Sequence, residues 1–389
     1  MAWLKARAAI AGIGQTEFSK ASGRTELQLA CEAVKAALDD AGLAPADVDG
    51  LVTFTMDSSE EMEVARNLGI EELTMFGRVP YGGGASAGTV LHAAMAVATG
   101  VADVVVCYRA FNERSGFRFG DTGNVLGGGL PLWLSWYAPY GLLTPASWVA
   151  LHARRYMHTY GVTNEHFGAI AVVDRRHAAT NPDAWFYERP ITLEDHQASR
   201  WVVEPVLRLL DCCQERDGGV ALVITSSERA RDLRHPAAVI TAAAQGAARD
   251  GEMMTSYYRV DLTGLPEMGV VARALWEASG LRPRDITTAF LYDHFTPFVL
   301  MQLEELGFCA RGEAKDFATV DNLTLGGDLP INTNGGLLGE AYIHGMNGIT
   351  EAVRQVRGTA CNQVPDVEHV LVTAGTGVPT SGLILSPGR

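Results

Sequence analysis

A chain of 389 residues is long enough for two to three domains with a sizeable core, and 47% hydrophobic with 20% charged residues is ordinary globular usage, which excludes a disordered protein. No apolar run reaches the roughly 18 residues that cross a bilayer, and Lys5 and Arg7 lead into strand-like sequence without a signal-type apolar core, so the expected location is cytoplasmic. A net charge of −14 excludes nucleic acid as a partner, because phosphate backbones are held by a basic face.

Ala8 to Gly14 is an apolar run of the buried-strand kind, and Glu26 to Ala41 follows with Leu27, Leu29, Ala30, Val34 and Leu38 at helical spacing. Gly42 supplies the helix stop, and Val48 to Phe54 begins the next strand. Gly88 to Gly100 is an Ala-rich helix that feeds a strand from Ala102 to Cys107. The alternation then breaks between Phe111 and Val206. That stretch holds a Gly-rich segment (Gly120 to Gly129), a Trp/Tyr/Pro-rich segment (Leu130 to Pro145) and two predicted helices, Ala146 to Tyr160 and Asn164 to Thr180. An insertion of this length on a catalytic scaffold caps a site and shapes its pocket. Its Trp133, Trp136 and Tyr137 suit a bulky apolar ligand and plain core packing equally.

From Ala237 the alternation resumes with a strand, a helix ending at Gly280, and a strand from Thr287 to Tyr292. The helix-to-strand joints of the two parts match: Gly42-Leu43-Ala44-Pro45-Ala46-Asp47-Val48 against Gly280-Leu281-Arg282-Pro283-Arg284-Asp285-Ile286. A helix from Gly345 to Gly358 with a strand from His369 to Thr373 likewise answers the Gly88 to Gly100 helix and its strand. The expectation is an α/β protein of two duplicated halves, 1–230 and 231–389, with the insertion at about 111–206 and mainly parallel sheets formed by right-handed crossovers. Six cysteines, Cys31, Cys107, Cys212, Cys213, Cys309 and Cys361, have no metal-ligand spacing, so no metal site is expected and the thiols read as buried or idle in a reducing compartment.

Several short segments then fall into one order along nearly the whole chain: Gly100-Val101-Ala102-Asp103-Val104-Val105-Val106, Asn181-Pro182 with Ile191-Thr192, Asp217-Gly218-Gly219, and Gly326-Gly327-Asp328-Leu329-Pro330-Ile331-Asn332-Thr333-Asn334-Gly335-Gly336. In these the sequence resembles the thiolase superfamily, in the branch of sterol-carrier thiolases and their lipid-transfer-protein relatives. The resemblance implies the five-layered αβαβα thiolase fold and a homodimer. It also directs attention to four positions. Where the family carries its acylated cysteine in a Cys-x-Ser-Gly setting, this chain reads Tyr81-Gly82-Gly83-Gly84-Ala85-Ser86-Ala87-Gly88; Ser86 lacks a neighbouring base in sequence and suits a helix cap better than a nucleophile. Where the family has Asn-Glu-x-Phe or His-Asp-x-Phe, the chain has Tyr292-Asp293-His294-Phe295. Counting without a gap from Gly335-Gly336 places Tyr342 at the His of Gly-His-Pro, and the C-terminal Thr373-Ala374-Gly375-Thr376-Gly377 turn holds no cysteine.

All four thiolase side chains are thus absent while their loops remain, and two of the positions have become tyrosine. A tyrosine keeps an O–H on a rigid body, which can donate to an oxyanion or relay a proton; two packing tyrosines are the plainer reading. Chemistry that needs no cysteine is retro-aldol cleavage of a β-hydroxyacyl-CoA. It requires a base at the hydroxyl, donors at the thioester oxygen and a proton for the new carbanion. Tyr292 and Tyr342 are the candidate pair, their roles unassigned, with His294 as a reserve base because its ordinary pKa suits neutral pH. Asp293 and His344 are candidates to orient the pair, and Ser86, Gly336 and the amides of Gly375 and Gly377 to bind substrate. The resemblance implies a steroid side-chain lyase that releases propionyl-CoA from a 17-hydroxy-20-carboxyl-CoA steroid and that needs a DUF35-type OB-fold partner, in a two-plus-two complex. No separate cofactor is expected, since CoA is part of the substrate. In a chain this acidic, the CoA phosphates demand a local cluster of cations or a site shared with the partner. Two rivals stay open: a thiolase with its nucleophile moved to Cys107 or Cys361, and a non-catalytic acyl-CoA or lipid-binding scaffold.

Overall fold

The computed structural model describes residues 6–123, 132, 134–254, 256–376 and 380–388. Strand β1 (Ala8–Gln15) carries glycines on the face that meets helix α1 (Glu26–Ala41): a Cβ on Gly14 would strike the backbone of Ala33 and Ala37, so only glycine lets the helix lie this close. Thr25 and Gln28 close α1 with a capping box, and Gly42 ends it at φ 74°. Strand β2 (Gly50–Phe54), helix α2 (Glu61–Leu68), strand β3 (Met75–Val79), helix α3 (Ser86–Thr99) and strand β4 (Val104–Asn112) complete the first run of alternation. The insertion contributes helices α4 (Pro145–Tyr160) and α5 (Asn164–Thr180) and a small ribbon of β5 (Trp201–Val203) and β6 (Leu207–Arg208). Strand β7 (Asp217–Ser226) returns to the sheet. The second half then runs β8 (Ala238–Gly246), helix α6 (Pro266–Ser279), β9 (Thr288–Phe290), helix α7 (Thr296–Leu306), helix α8 (Met346–Arg357), β10 (Val370–Ala374) and β11 (Thr380–Pro387).

Nine strands are joined in the order β3-β2-β4-β7-β1-β8-β11-β10-β9. The sheet is mixed rather than mainly parallel, which corrects the expectation from crossovers: only β2–β3, β2–β4 and β9–β10 are parallel. The insertion leaves and returns at the same end of the sheet, pairing Asn112 with Asp217, so β7 must run antiparallel to β4; β10 and β11 form a hairpin for the same reason. Edge to edge the two halves pair through Ala9↔Val239 and Ile10↔Ala238 of β1 and β8, and Ala6 N–H donates to the Ile240 carbonyl at 3.2 Å.

Helices α3 and α8 lie between the halves and pack on strands of both. In β4, Val104 and Val106 face α1 in an outer core. Val105 and Cys107 face the central helices, where they join Leu383, Leu385, Met346 and Val353. Helices α6 and α7 cover the opposite outer face, with Leu275, Val271, Leu300 and Leu303 in a third core. The layers therefore run helix, sheet, helix, sheet, helix. Strands buried on both faces explain the continuous apolar runs of the sequence. Among the described residues no helix is long and apolar enough to cross a membrane.

Candidate active site

Tyr292 stands two residues past the end of β9, and its main chain is held on both sides. Its N–H donates to Thr373 Oγ1 at 2.9 Å, its carbonyl accepts from Gln302 Nε2 at 2.8 Å, and Thr373 Oγ1 donates to Gln302 Oε1 at 2.6 Å. The segment before β7 ties this loop to the loop that carries Tyr342. Cys213 N–H donates to the His294 carbonyl at 2.9 Å, Gln214 N–H to Leu337 at 3.0 Å, and Tyr342 N–H to Gln214 at 3.0 Å. The result brings the two phenols together, with the Tyr292 hydroxyl donating to that of Tyr342 at 2.9 Å and both side chains buried. The glycines of Gly82-Gly83-Gly84 press on the same point. A Cβ on Gly83 would fall within the Tyr292 hydroxyl, and one on Gly82 would lie 2.9 Å from His344 Nε2.

Both tyrosines line a cavity of about 1010 Å³, at the top of the usual range of about 300–1,000 Å³ for small-molecule sites. The insertion lines much of it with Phe117, Phe119, Trp148, Trp185 and Phe186. Lys20, Arg114, Arg118, Arg189, Arg200 and Arg216 also line it, against the acids Glu113 and Glu215. A chain of net charge −14 therefore concentrates cations at this opening, which supplies the local exception that phosphate binding requires.

Burial raises the pKa of both tyrosines well above the ordinary phenol value, so the resting pair is neutral. Burial lowers His294 to about 3; its Nε2 lies 3.2 Å from Thr376 Oγ1 and its Nδ1 has no partner. His344 is also pushed well below the imidazole range, by burial and then by the Arg109 charge. Arg109 Nε donates to His344 Nδ1 at 3.1 Å, which fixes the neutral tautomer with its proton on Nε2. Arg109 is itself fully buried and paired with Asp57 at 2.9 Å. A His294 held near 3 carries no proton to lose near neutrality and is a feeble base. Accordingly kcat/KM should show no acid limb between about pH 8 and pH 5. A break near the ordinary imidazole pKa that disappears in His294→Gln or His344→Gln would make that histidine the working base.

Tyr292, Tyr342, His294, His344 and Gly375 all line this same cavity. Asp293, Gly336 and Ser86 are placed behind it. Asp293 turns away from the opening and accepts from Leu337 N–H and Leu338 N–H, each at 2.9 Å; burial holds it up at about 6. Asp174 of α5 faces it and is held protonated by burial and by that charge. Gly336 sits directly beneath the Asp293 carboxylate. Ser86 donates to the Gly83 carbonyl at 3.3 Å and caps nothing, because a helical turn at Gly83–Ala85 runs straight into α3. Gly377 and Trp133 lie outside the described residues. Tyr257 donates to the Trp148 carbonyl at 3.0 Å and Tyr137 packs on its ring, away from the cavity, while Trp136 and Tyr258 are exposed.

Sequence reasoning missed Arg109, Glu113 and Cys213. A usable signal existed for the first two: Arg109 interrupts the otherwise apolar run from Val104 to Phe111 and Glu113 follows closely on it, positions where charge is costly without a purpose. Cys213 lines the cavity against the tyrosines, but burial holds its thiol well above the usual range. Burial likewise raises Cys107 to about 12 and Cys361 to about 11, so neither is poised as a thiolate.

A family model described as Thiolase C-terminal domain-like matches residues 246–386. The steroid side-chain-cleaving aldolase of Thermomonospora curvata is 69% identical over 392 residues, covering 100% of both chains. The 17-hydroxy-3-oxo-4-pregnene-20-carboxyl-CoA lyase of Mycobacterium tuberculosis is 65% identical and covers 98% of this chain and 100% of its own. A solved structure of the Ltp2-ChsH2(DUF35) aldolase superposes with a TM-score of 0.94 at 69% identity, over 99% of each chain. The five layers and these likenesses place the chain in the thiolase superfamily. Within it, the chain belongs to the family of the steroid side-chain-cleaving aldolases.

Proposed function

We propose that this chain is a carbon–carbon lyase that cleaves the side chain of a 17-hydroxy steroid carboxyl-CoA by a retro-aldol reaction, with Tyr292 and Tyr342 moving the proton. The observation that carries this reading is the pair of hydroxyls 2.9 Å apart in a cavity whose thiols and histidines are all held neutral. Forming a free phenolate at pH 7 costs at least about 4 kcal/mol from the ordinary pKa of about 10, and more when buried. A relay avoids it. One hydroxyl accepts the proton of the 17-hydroxyl as that group becomes a ketone and the Cα–Cβ bond breaks. It passes its own proton to its neighbour, and the neighbour protonates Cα of the enolate left on the thioester. The hydroxyl proton ends on propionyl-CoA, and both tyrosines end neutral. Either tyrosine can take the first position.

The remaining geometry supports the same substrate. The aromatic walls of the insertion suit a steroid nucleus, and the cations around the opening suit the phosphates of CoA. The Ltp2-ChsH2(DUF35) aldolase is the basis for expecting a DUF35-type partner here. We place a second copy of the chain at β3, which ends the nine-stranded sheet and leaves Phe76 62% exposed, giving a two-plus-two assembly. Free cysteines throughout fit a reducing, cytoplasmic setting.

The test is to incubate the chain, with and without a DUF35-type partner, with a 17-hydroxy steroid carboxyl-CoA. The expected result is equimolar 17-ketone and propionyl-CoA from the complex, with no acyl adduct in the mass of the intact protein. Binding without cleavage by the complex would instead favour a scaffold. An adduct on Cys213, Cys107 or Cys361 would favour a displaced thiolase nucleophile.

A further inference from the structure

Glu113 lies one residue past β4, where the insertion begins, and is 0% exposed. Neither of its carboxyl oxygens has a hydrogen-bond partner. The nearby charged groups are engaged elsewhere: Arg109 through Nη1 and Nε with Asp57 and His344, its buried Nη2 alone lacking a partner, Arg118 with Glu215 at 2.7 Å, and Asp217 with the N–H groups of Arg114 and Ser115. A carboxyl buried without a partner costs free energy in the empty protein, and such groups mark places where a ligand completes the bonding. Glu113 lines the cavity beside Tyr292 and Tyr342, so the missing partner comes from that cavity.

We propose that Glu113 is a third catalytic group, a neutral carboxylic acid whose O–H donates to the thioester oxygen as that oxygen becomes an enolate. The inference rests on the lyase reading and deepens it. During cleavage, negative charge passes from the breaking Cα–Cβ bond to the thioester oxygen, and the two tyrosines are engaged at the hydroxyl and at Cα. The oxygen needs donors of its own. Glu113 supplies one and the Nε2–H of His344 a second. Burial keeps the Glu113 acid protonated. Glu215 and Asp217 push in the same direction, while Arg109 and Arg118 oppose it. An acid kept neutral in this way donates a hydrogen bond near pH 7, where an ordinary carboxylate only accepts.

Glu113→Gln keeps a neutral donor of the same shape, and Glu113→Leu removes it. In the complex with the partner, E113Q should stay within about 3-fold of wild-type kcat, and E113L should lose about 30-fold in kcat with little change in KM. The wild type should lose activity as rising pH ionises Glu113, and E113Q should not show that fall. Because the lost carboxyl has no partner, E113L should melt no lower than wild type. The role is overturned if E113Q is as impaired as E113L, if E113L cleaves at the wild-type rate, or if E113L loses activity together with thermal stability. Wild-type complex is assayed alongside: failure there overturns the lyase reading itself, whereas wild-type cleavage that persists in E113L overturns only the part given to Glu113.

Discussion

Tyr292→Phe and Tyr342→Phe are each expected to lower kcat for side-chain cleavage by about 10³-fold, and the double variant to fall little further. The hydroxyls are joined by one 2.9 Å hydrogen bond and act as one relay, so either loss breaks the path from the steroid hydroxyl to Cα. Groups that work as a unit show this non-additivity, whereas two packing tyrosines would give small and additive effects. Phenylalanine keeps the ring against Leu337 and Cys213, so the fold should persist. The cost to stability is a lost hydrogen bond with one hydroxyl left unpaired, about 1–3 kcal/mol. Single-turnover cleavage with saturating substrate and partner measures the effect, and thermal melts of the same samples separate it from unfolding. Wild-type turnover in either variant would remove the pair from the mechanism.

The positions of the tyrosines were legible because the loops around them kept their spacing after the original side chains had gone. Counting from Gly335-Gly336 reached Tyr342, and the Tyr292-Asp293-His294-Phe295 run at the end of the expected strand pointed to Tyr292. Spacing fixes where a Cα stands and says less about which way its side chain turns. Asp293 adjoins Tyr292 and Gly336 belongs to the loop that leads to Tyr342, yet neither lines the cavity, and Asp293 instead accepts from the N–H groups of Leu337 and Leu338. Sheet direction was misread because local pattern shows a strand but not the end from which the chain enters it. Asp217 enters opposite Asn112 only because the 104 residues between them, most of them the insertion, return to their starting edge. Glu113 escaped notice for a related reason. In sequence it is one acid among 45 acidic residues, and its meaning comes from complete burial without a partner.

Gly83→Ala is expected to abolish measurable cleavage, with a loss of at least about 10²-fold, although it adds a single methyl group. A Cβ there would fall within the Tyr292 hydroxyl and against the ring carbon that bears it. The ring has little room to yield. Its main chain is fixed by Thr373 and Gln302, and on its other side a Cβ at Gly345 would already lie 3.1 Å from the ring. Either the phenol leaves its place opposite Tyr342 or the loop at 82–84 lifts, which also moves Gly82 away from His344. Both outcomes separate groups that must meet one substrate, and a displacement of about 1 Å is enough for a loss of this order. Gly348→Ala is the matched contrast. It lies inside α8, where a Cβ would meet only Phe290 at an ordinary 3.5 Å, so it should leave cleavage intact and stabilise the helix by up to about 1 kcal/mol. Measuring kcat and the melting temperature of both variants separates a general intolerance of added volume from a specific demand at Tyr292. Normal cleavage by G83A would show that the Tyr292 hydroxyl need not stand where it does, and the relay would fail with it.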